Sequence, residues 1–180
     1  MAEALLRRRL ADRGVDVTVS SAGVHEGGAR ATDHGIAVMA ERGLDLAGHV
    51  SRQVTLEMVT RADLVIGMAR EHVREASVLH RGALTKTFTL KELVRLAEVV
   101  GPRAEGEELS AWLGRVGATR HREDLIGIGH DDELDVEDPV GRGRADYEAT
   151  AELLDELLAH VVELAFPARQ LARRSVEPNR

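Results

Sequence analysis

The sequence predicts an α/β fold in which helices cover a mostly parallel sheet, and three observations support that prediction. Helix-like segments alternate with strand-like segments along the chain, as they do in βαβ units. Several helical segments end at a glycine, which accepts the left-handed backbone found at helix C-termini. One compact apolar run, Asp63-Leu-Val-Ile-Gly67, lies between breakers, which is typical of a strand buried on both faces.

The first half of the chain contains two predicted helices, at residues 2–13 and 33–42, and each is followed by a glycine. Val15–Ser21 alternates apolar and polar residues, which predicts a short strand between the two helices. Thr55–Arg61 predicts one amphipathic turn of helix, which leads into the buried strand.

The second half continues the alternation with a predicted helix at 70–79 and a third strand at Thr85–Phe88. Thr89 lies three residues before Glu92, a capping box that opens the next helix. The last helix is predicted from Tyr147 to Ala165 because apolar residues recur there at steps of three and four. These residues are Tyr147, Ala151, Leu154, Leu158, Val161 and Ala165.

The pattern weakens from Gly101 to Asp135, where only a short helix around Trp112 is predicted. We expect one domain at 1–166, with 101–134 as an insertion of unknown role and 167–180 as a disordered tail. The acidic residues at 131–133 lack the spacing of a calcium loop and are expected to form a solvated loop.

The amino-acid composition disfavours several classes of function. The chain has 180 residues, 43% of them hydrophobic, a net charge of −7 and no cysteine. The negative charge disfavours nucleic acid as a partner, and no apolar run is long enough to span a membrane. A cytoplasmic protein without a cofactor is expected, and its oligomeric state stays open. The eight histidines show no metal-ligand spacing.

Four segments, in this order, resemble the low-molecular-weight protein tyrosine phosphatase family, in its bacterial form. They are MAEALLRRRL, Ser20-Ser-Ala-Gly23, the run His49-Val-Ser-Arg-Gln53 with Asp63-Leu-Val-Ile-Gly-Met68, and Asp138-Pro139 followed by Tyr147 and the last helix. The resemblance implies a three-layer, doubly wound parallel sheet. It also implies a phosphomonoester hydrolase that acts on a phosphorylated protein or a small aryl phosphate.

In that family a cysteine thiolate attacks phosphorus from a C-x5-R loop between the first strand and the first helix. By the resemblance, Met1 follows directly on the serine and proline that end this loop. The first, central strand and the phosphate loop are therefore expected to be missing from this chain. The chain as written is expected to be inactive, and Met1 is expected to be internal to the natural protein.

The resemblance implies a role for four residues. Asp138 occupies the position of the general acid, and Pro139 would stiffen its loop. Ser21 and His49 would buttress the phosphate loop, or they are plain turn and surface residues. Family members often carry an aromatic residue after Asp-Pro, whereas this chain has Val140-Gly141, which disfavours a preference for phosphotyrosine. Arg52 is expected to form a structural ion pair.

Two further interpretations stay open. The chain could be a non-catalytic module that binds a partner or regulates a full-length relative on the same fold. An arsenate reductase also shares the fold, but that reaction needs several cysteines and ranks low because the chain has none.

Overall fold

The computed structural model describes residues 1–120 and 134–167, and the predicted alternation of helices and strands is confirmed there. The helices are α1 (Ala2–Asp12), α2 (Asp33–Glu41), α3 (Leu56–Arg61), α4 (Arg70–Leu79), α5 (Leu90–Val100), α6 (Leu109–Ala118) and α7 (Arg144–Ala165). The strands are β1 (Val65–Gly67) and β2 (Thr87–Thr89), and a 3-10 turn at Arg81–Lys86 precedes β2. The acidic run at 131–133 and residues 168–180 of the predicted tail lie outside the described residues.

Strands β1 and β2 form a parallel pair, so the predicted α/β class is confirmed. Their register aligns Val65 with Thr87, Ile66 with Phe88 and Gly67 with Thr89. A parallel pair needs a crossover between its strands, and α4 with the 3-10 turn supplies it. The missing first strand stays a prediction.

Helices cover both faces of this pair, which gives the layered arrangement. Ile66 packs against the large core cluster formed by α1, α2, α5, α6 and α7. Val65 packs against a smaller cluster formed by α3, α4 and the 3-10 turn. The prediction that β1 is buried on both faces was too strong, since Val65 and Ile66 are only half-buried. The reason is that β1 has one strand partner, β2, within the described residues.

The predicted strand at Val15–Ser21 is wrong, because this segment belongs to no strand. A strand needs a neighbour that accepts and donates backbone hydrogen bonds, and the described residues place no strand beside it. Side chains bind its carbonyl groups instead. Arg7 Nη2 donates to Val19 O at 2.9 Å, and Arg52 Nε donates to Ser21 O at 2.8 Å.

Most of the predicted helix ends hold to within one residue, because local chemistry sets them. Thr89 Oγ1 accepts from Glu92 N while Glu92 Oε2 accepts from Thr89 N, as the capping box predicts. Gly14 has a φ of +69°, the left-handed backbone that ends α1. Helix α7 begins three residues earlier than predicted, because Asp146 Oδ2 accepts from Gly143 N at 3.1 Å and caps the extra turn. The six predicted core residues of α7 are buried.

The segment predicted as an insertion contributes to the core in its described part. Trp112 in α6 is fully buried, and its Nε1 donates to Gly101 O at 3.0 Å. Val116 of the same helix is also fully buried within the large core cluster. The role of residues 101–134 as a whole stays a prediction.

Within residues 1–120 and 134–167, no helix combines the length and apolar content needed to cross a bilayer.

Candidate active site

The loop that precedes α7 carries Asp138, and it lies at the carboxyl end of strand β1. Val136 N donates to Met68 O at 2.8 Å, and Met68 directly follows the strand. Val136 itself is buried in the large core cluster. In open parallel sheets, ligands bind outside the carboxyl ends of the strands. The loop therefore lies at the edge of the sheet where this class of fold places its binding site.

Asp138 is exposed, and its loop is held in a turn. Its Oδ1 accepts from Val140 N at 3.0 Å, while Arg142 N donates to Pro139 O at 3.0 Å. Pro139 fixes its own φ and restricts the backbone of the residue before it. These constraints leave the second carboxylate oxygen of Asp138 available to a ligand.

A groove of about 300 Å³ lies between this loop and the first turns of α7. Asp138 and Pro139 form part of its wall, and Val136 and Leu153 give it an apolar portion. Lys91, in the first turn of α5, also lines it. The groove is open to solvent beside the carboxylate of Asp138, so a substrate group bound there would lie next to this side chain.

A second polar cluster surrounds Glu3, in the first turn of α1. Its carboxylate accepts short hydrogen bonds from Ser21 Oγ and from Arg7 Nη2. The charge of His49, an exposed side chain, also acts on Glu3. Of the two residues predicted to support the phosphate loop, Ser21 therefore binds the Glu3 carboxylate at the N-terminal end of α1, whereas His49 acts on that carboxylate through its charge.

The pKa of Glu3 reflects two opposing effects. Partial burial, the largest single effect, raises the pKa because it disfavours the charged form. The hydrogen bond from Ser21, the charges of Arg7 and His49 and the hydrogen bond from Arg7 all favour the carboxylate. Together they outweigh burial and hold the pKa of Glu3 below its ordinary value.

Glu3→Gln should therefore destabilise the protein at pH 7 by about 1–2 kcal/mol, the scale of a hydrogen bond to a charged group reduced by partial exposure. A carboxylate whose pKa is lowered by folding stabilises the protein above its unfolded pKa, and that contribution is lost as the pH falls through the folded value. Urea unfolding at pH 7 and at pH 3 measures the free energy of unfolding under conditions that favour the charged and the protonated form of Glu3, respectively.

The difference between the wild type and Glu3→Gln should shrink at pH 3. Glu57→Gln is the matched control, because Glu57 pairs with Arg61 on an exposed surface and should matter little at either pH. An equal cost of Glu3→Gln at both pH values would contradict the prediction.

The structure does not join the three predicted site residues into one cluster. Ser21 and His49 lie around Glu3, whereas Asp138 lies on its own loop. Within residues 1–120 and 134–167, no hydrogen bond links Asp138 to the cluster around Glu3. The predicted ion pair of Arg52 is wrong, since its guanidinium donates to the backbone carbonyl of Ser21. The carbonyl of Ser21 has no strand partner among the described residues, so it accepts the hydrogen bond from Arg52 that was expected to go to a carboxylate.

Sequence reasoning missed two site residues, Glu3 and Asp135. Glu3 looked like one charge on a solvated helix face, and its spacing of four from Arg7 was the available signal. Asp135 was missed because its hydrogen-bond partner, the backbone amide of Arg70, lies 65 positions away in the sequence.

A sequence profile of the low molecular weight phosphotyrosine protein phosphatases matches residues 1–111, more than half of the chain. The chain belongs to this family. The predicted family membership is thereby confirmed, and the first three of the four resembling segments lie within the matched residues, whereas Asp138-Pro139 and the last helix lie beyond them.

Curated members of this phosphatase family align with parts of the chain. A protein-arginine-phosphatase of Bacillus subtilis is 37% identical over 95 residues, which cover 52% of this chain and 63% of that protein. The low molecular weight protein-tyrosine-phosphatase Etp of Escherichia coli is 32% identical over 111 residues, 59% of this chain and 70% of Etp. The chain thus spans less than two thirds of the Bacillus relative.

Solved structures of phosphatases share the fold over most of the chain. A mutant YwlE of Bacillus subtilis matches with a TM-score of 0.64 and 28% identity, covering 90% of this chain and 86% of that one. A low molecular weight protein tyrosine phosphatase of T. tengcongensis matches with a TM-score of 0.65 and 28% identity, covering 90% and 87%.

Proposed function

We propose that this chain carries the acid-loop side of a phosphomonoester hydrolase that works through a phosphocysteine, with Asp138 as the general acid. One observation carries the proposal: the hydrogen bond from Val136 N to Met68 O holds the loop of Asp138 at the carboxyl end of β1. The family to which the chain belongs supports the reaction type.

In this reaction a thiolate attacks phosphorus and the bond from phosphorus to the leaving oxygen breaks. Asp138, in its protonated form, gives its proton to that oxygen, so the leaving group departs as a neutral alcohol or phenol. The resulting Asp138 carboxylate then takes a proton from water as the water attacks the phosphocysteine. Phosphate leaves and the thiolate returns.

The thiolate has to come from outside these 180 residues, since they include no cysteine. The N-terminal end of α1 would receive the phosphate loop, and Glu3, Ser21 and His49 lie beside that end. In this proposal Ser21 and His49 support the loop through hydrogen bonds, and the bond from Ser21 replaces the one that it now donates to Glu3.

The substrate is proposed to be a phosphorylated protein or a small aryl phosphate. Val140 follows Asp138-Pro139 where many family members carry an aromatic ring, and its side chain is 64% exposed. An aryl leaving group would therefore lack a ring to stack on. The name of the Bacillus relative, a protein-arginine-phosphatase, supports phosphoarginine as a second candidate substrate. Asp138 would then protonate the departing guanidine nitrogen.

The chain alone should not hydrolyse p-nitrophenyl phosphate, and joining a phosphate loop to it should create activity. The extension to fuse ahead of Met1 is an apolar strand followed by the C-x5-R-S-P loop, roughly 10–15 residues in all. Steady-state assays with p-nitrophenyl phosphate and with phosphoarginine measure turnover and compare the two substrate classes.

The control is the same fusion with serine in place of the cysteine of the added loop, which should be inactive. A folded but inactive cysteine fusion would overturn the proposal and favour the non-catalytic module. Turnover by the unfused chain that disappears in Asp138→Ala would contradict the requirement for an added thiolate.

A further inference from the structure

An amide in the first turn of helix α4 is capped from outside the helix. The N-cap residue of α4, Ala69, has no side-chain acceptor for the free amides of the first turn. Asp135 supplies one from the loop ahead of α7, because its Oδ1 accepts from Arg70 N at 2.9 Å. A residue 65 positions later in the chain thus caps this helix, and the helix in turn holds the loop.

The turn that receives Asp135 is itself fixed from the other side. His72 Nδ1 accepts from Met68 N at 3.2 Å and from Ala69 N at 3.1 Å. Gly67 permits this close packing, because a Cβ at that position would lie 2.9 Å from the Cβ of His72. The segment between β1 and α4 is therefore a rigid base for whatever binds to it.

Two adjacent residues of the loop bind this base. Besides capping Arg70 N, the Asp135 carboxylate lies 3.4 Å from Arg70 Nε, and both side chains are less than a third exposed. Val136 N donates to Met68 O at 2.8 Å. Asp135 and Val136 lie three and two residues before Asp138, so their contacts determine where the loop that carries Asp138 leaves the core.

Farther along, the loop is held more weakly. Arg142 pairs with Glu137 at 2.6 Å, but these side chains are 50% and 77% exposed. Exposed ion pairs of this kind contribute little to a fixed geometry. The partly shielded carboxylate of Asp135, bound to a helix N-terminus, is the stronger attachment.

We propose that Asp135 is a positioning residue that fixes the loop of Asp138 against the turn between β1 and α4. The role of Asp138 in this proposal rests on the proposed function. Asp135 does not touch the substrate. It acts by holding the acid in reach of the leaving group, and catalysis is sensitive to displacements of about 1 Å.

The first test uses the 180-residue chain and hydrogen exchange followed by mass spectrometry. In Asp135→Ala, peptides from residues 134–143 and 66–72 should exchange about tenfold faster, the factor expected when a charge-assisted helix cap is lost. Asp135→Asn keeps an acceptor for Arg70 N and should retain most of the protection. Glu137→Gln, on the exposed part of the same loop, is the matched control and should change little.

Peptides from the middle of α7 show whether each variant remains folded. If α7 keeps its protection and residues 134–143 exchange within twofold of the wild type in Asp135→Ala, the anchoring role is overturned. Should Asp135→Ala unfold, Asp135→Asn decides, because it keeps one acceptor for Arg70 N but loses the charge. Exchange about two- to threefold faster and confined to residues 134–143 supports the proposal, and exchange identical to that of the wild type overturns it.

The second test uses the cysteine fusion and two leaving groups. Asp135→Ala should lower kcat for phenyl phosphate about 10–100-fold and for p-nitrophenyl phosphate only a few-fold, because the activated phenolate departs with little help from an acid. Equal losses on both substrates would overturn the link to Asp138. If the fusion itself is inactive, the proposed function fails, and the exchange experiment still decides whether Asp135 anchors the loop.

Discussion

Arg120→Ala should lower the free energy of unfolding by about 3–5 kcal/mol, the cost of breaking a buried ion pair by removing one partner. The side chains of Arg120 and Glu92 are only 5% and 7% exposed. Arg120 Nε donates to Glu92 Oε1 at 2.7 Å, and its Nη2 donates to Glu92 Oε2 at 2.9 Å. Alanine would leave the Glu92 carboxylate as an uncompensated charge in the core.

The guanidinium of Arg120 also binds the backbone that leads into α5. It donates to Leu84 O at 3.1 Å and to Thr87 O at 2.8 Å, and it lies 4.3 Å from the centre of the Phe88 ring. These contacts join the end of α6 to strand β2. Their loss adds unsatisfied carbonyl groups to the unpaired carboxylate, so the cost should lie toward the upper end of the range.

Urea denaturation, followed by circular dichroism, measures the change. Arg115→Ala, in the preceding helix α6, is the control, since Arg115 binds Glu107 near the surface and its loss should cost much less. The double variant Arg120→Met with Glu92→Leu should recover only part of the loss, because it removes the unpaired charge but leaves the carbonyls of Leu84 and Thr87 without this donor. A cost below about 1 kcal/mol for Arg120→Ala would contradict the prediction.

The sequence predicts the helices of this protein well because their signals are local. The capping box of Thr89 and Glu92 and the glycine after α1 are fixed by residues within one turn of the helix end. The apolar spacing of α7 likewise identifies the face that the structure buries. Each of these features follows from neighbours in the chain, so one sequence is enough.

The features that failed depend on neighbours in space. Alternation at Val15–Ser21 indicates a strand, but only an adjacent strand can complete it, and the described residues supply none. The pairs Arg120–Glu92 and Arg70–Asp135 join residues 28 and 65 positions apart. No periodicity in the sequence indicates such distant partners, so neither pair could be predicted from it.

The candidate site also combines what the sequence can predict with what only the folded structure shows. The family resemblance assigned Asp138, because chemistry at an Asp-Pro turn cannot be deduced from the dipeptide. Its location at the carboxyl end of β1 comes from the structure, through the bond from Val136 N to Met68 O. The carboxylate of Glu3 was recognised as part of the site only from the structure, in which it binds Ser21 and feels the charge of His49.

In the cysteine fusion, Asp138→Asn should lower kcat for phenyl phosphate by about 10²–10⁴-fold, the range that a positioned general acid contributes. Asparagine has nearly the shape of aspartate and retains the oxygen that accepts from Val140 N. The turn at Pro139 should therefore persist while the transferable proton is lost. Stopped-flow or steady-state assays of phenol release measure kcat directly.

The comparison between leaving groups separates loss of the acid from loss of the fold. p-Nitrophenolate is stable as an anion and departs with little protonation, so Asp138→Asn should slow p-nitrophenyl phosphate much less than phenyl phosphate. Glu137→Gln, the neighbouring exposed carboxylate, should leave both rates unchanged. Equal losses on both substrates in Asp138→Asn would contradict the role of Asp138 as the general acid, because losing only the proton donor should spare the activated leaving group.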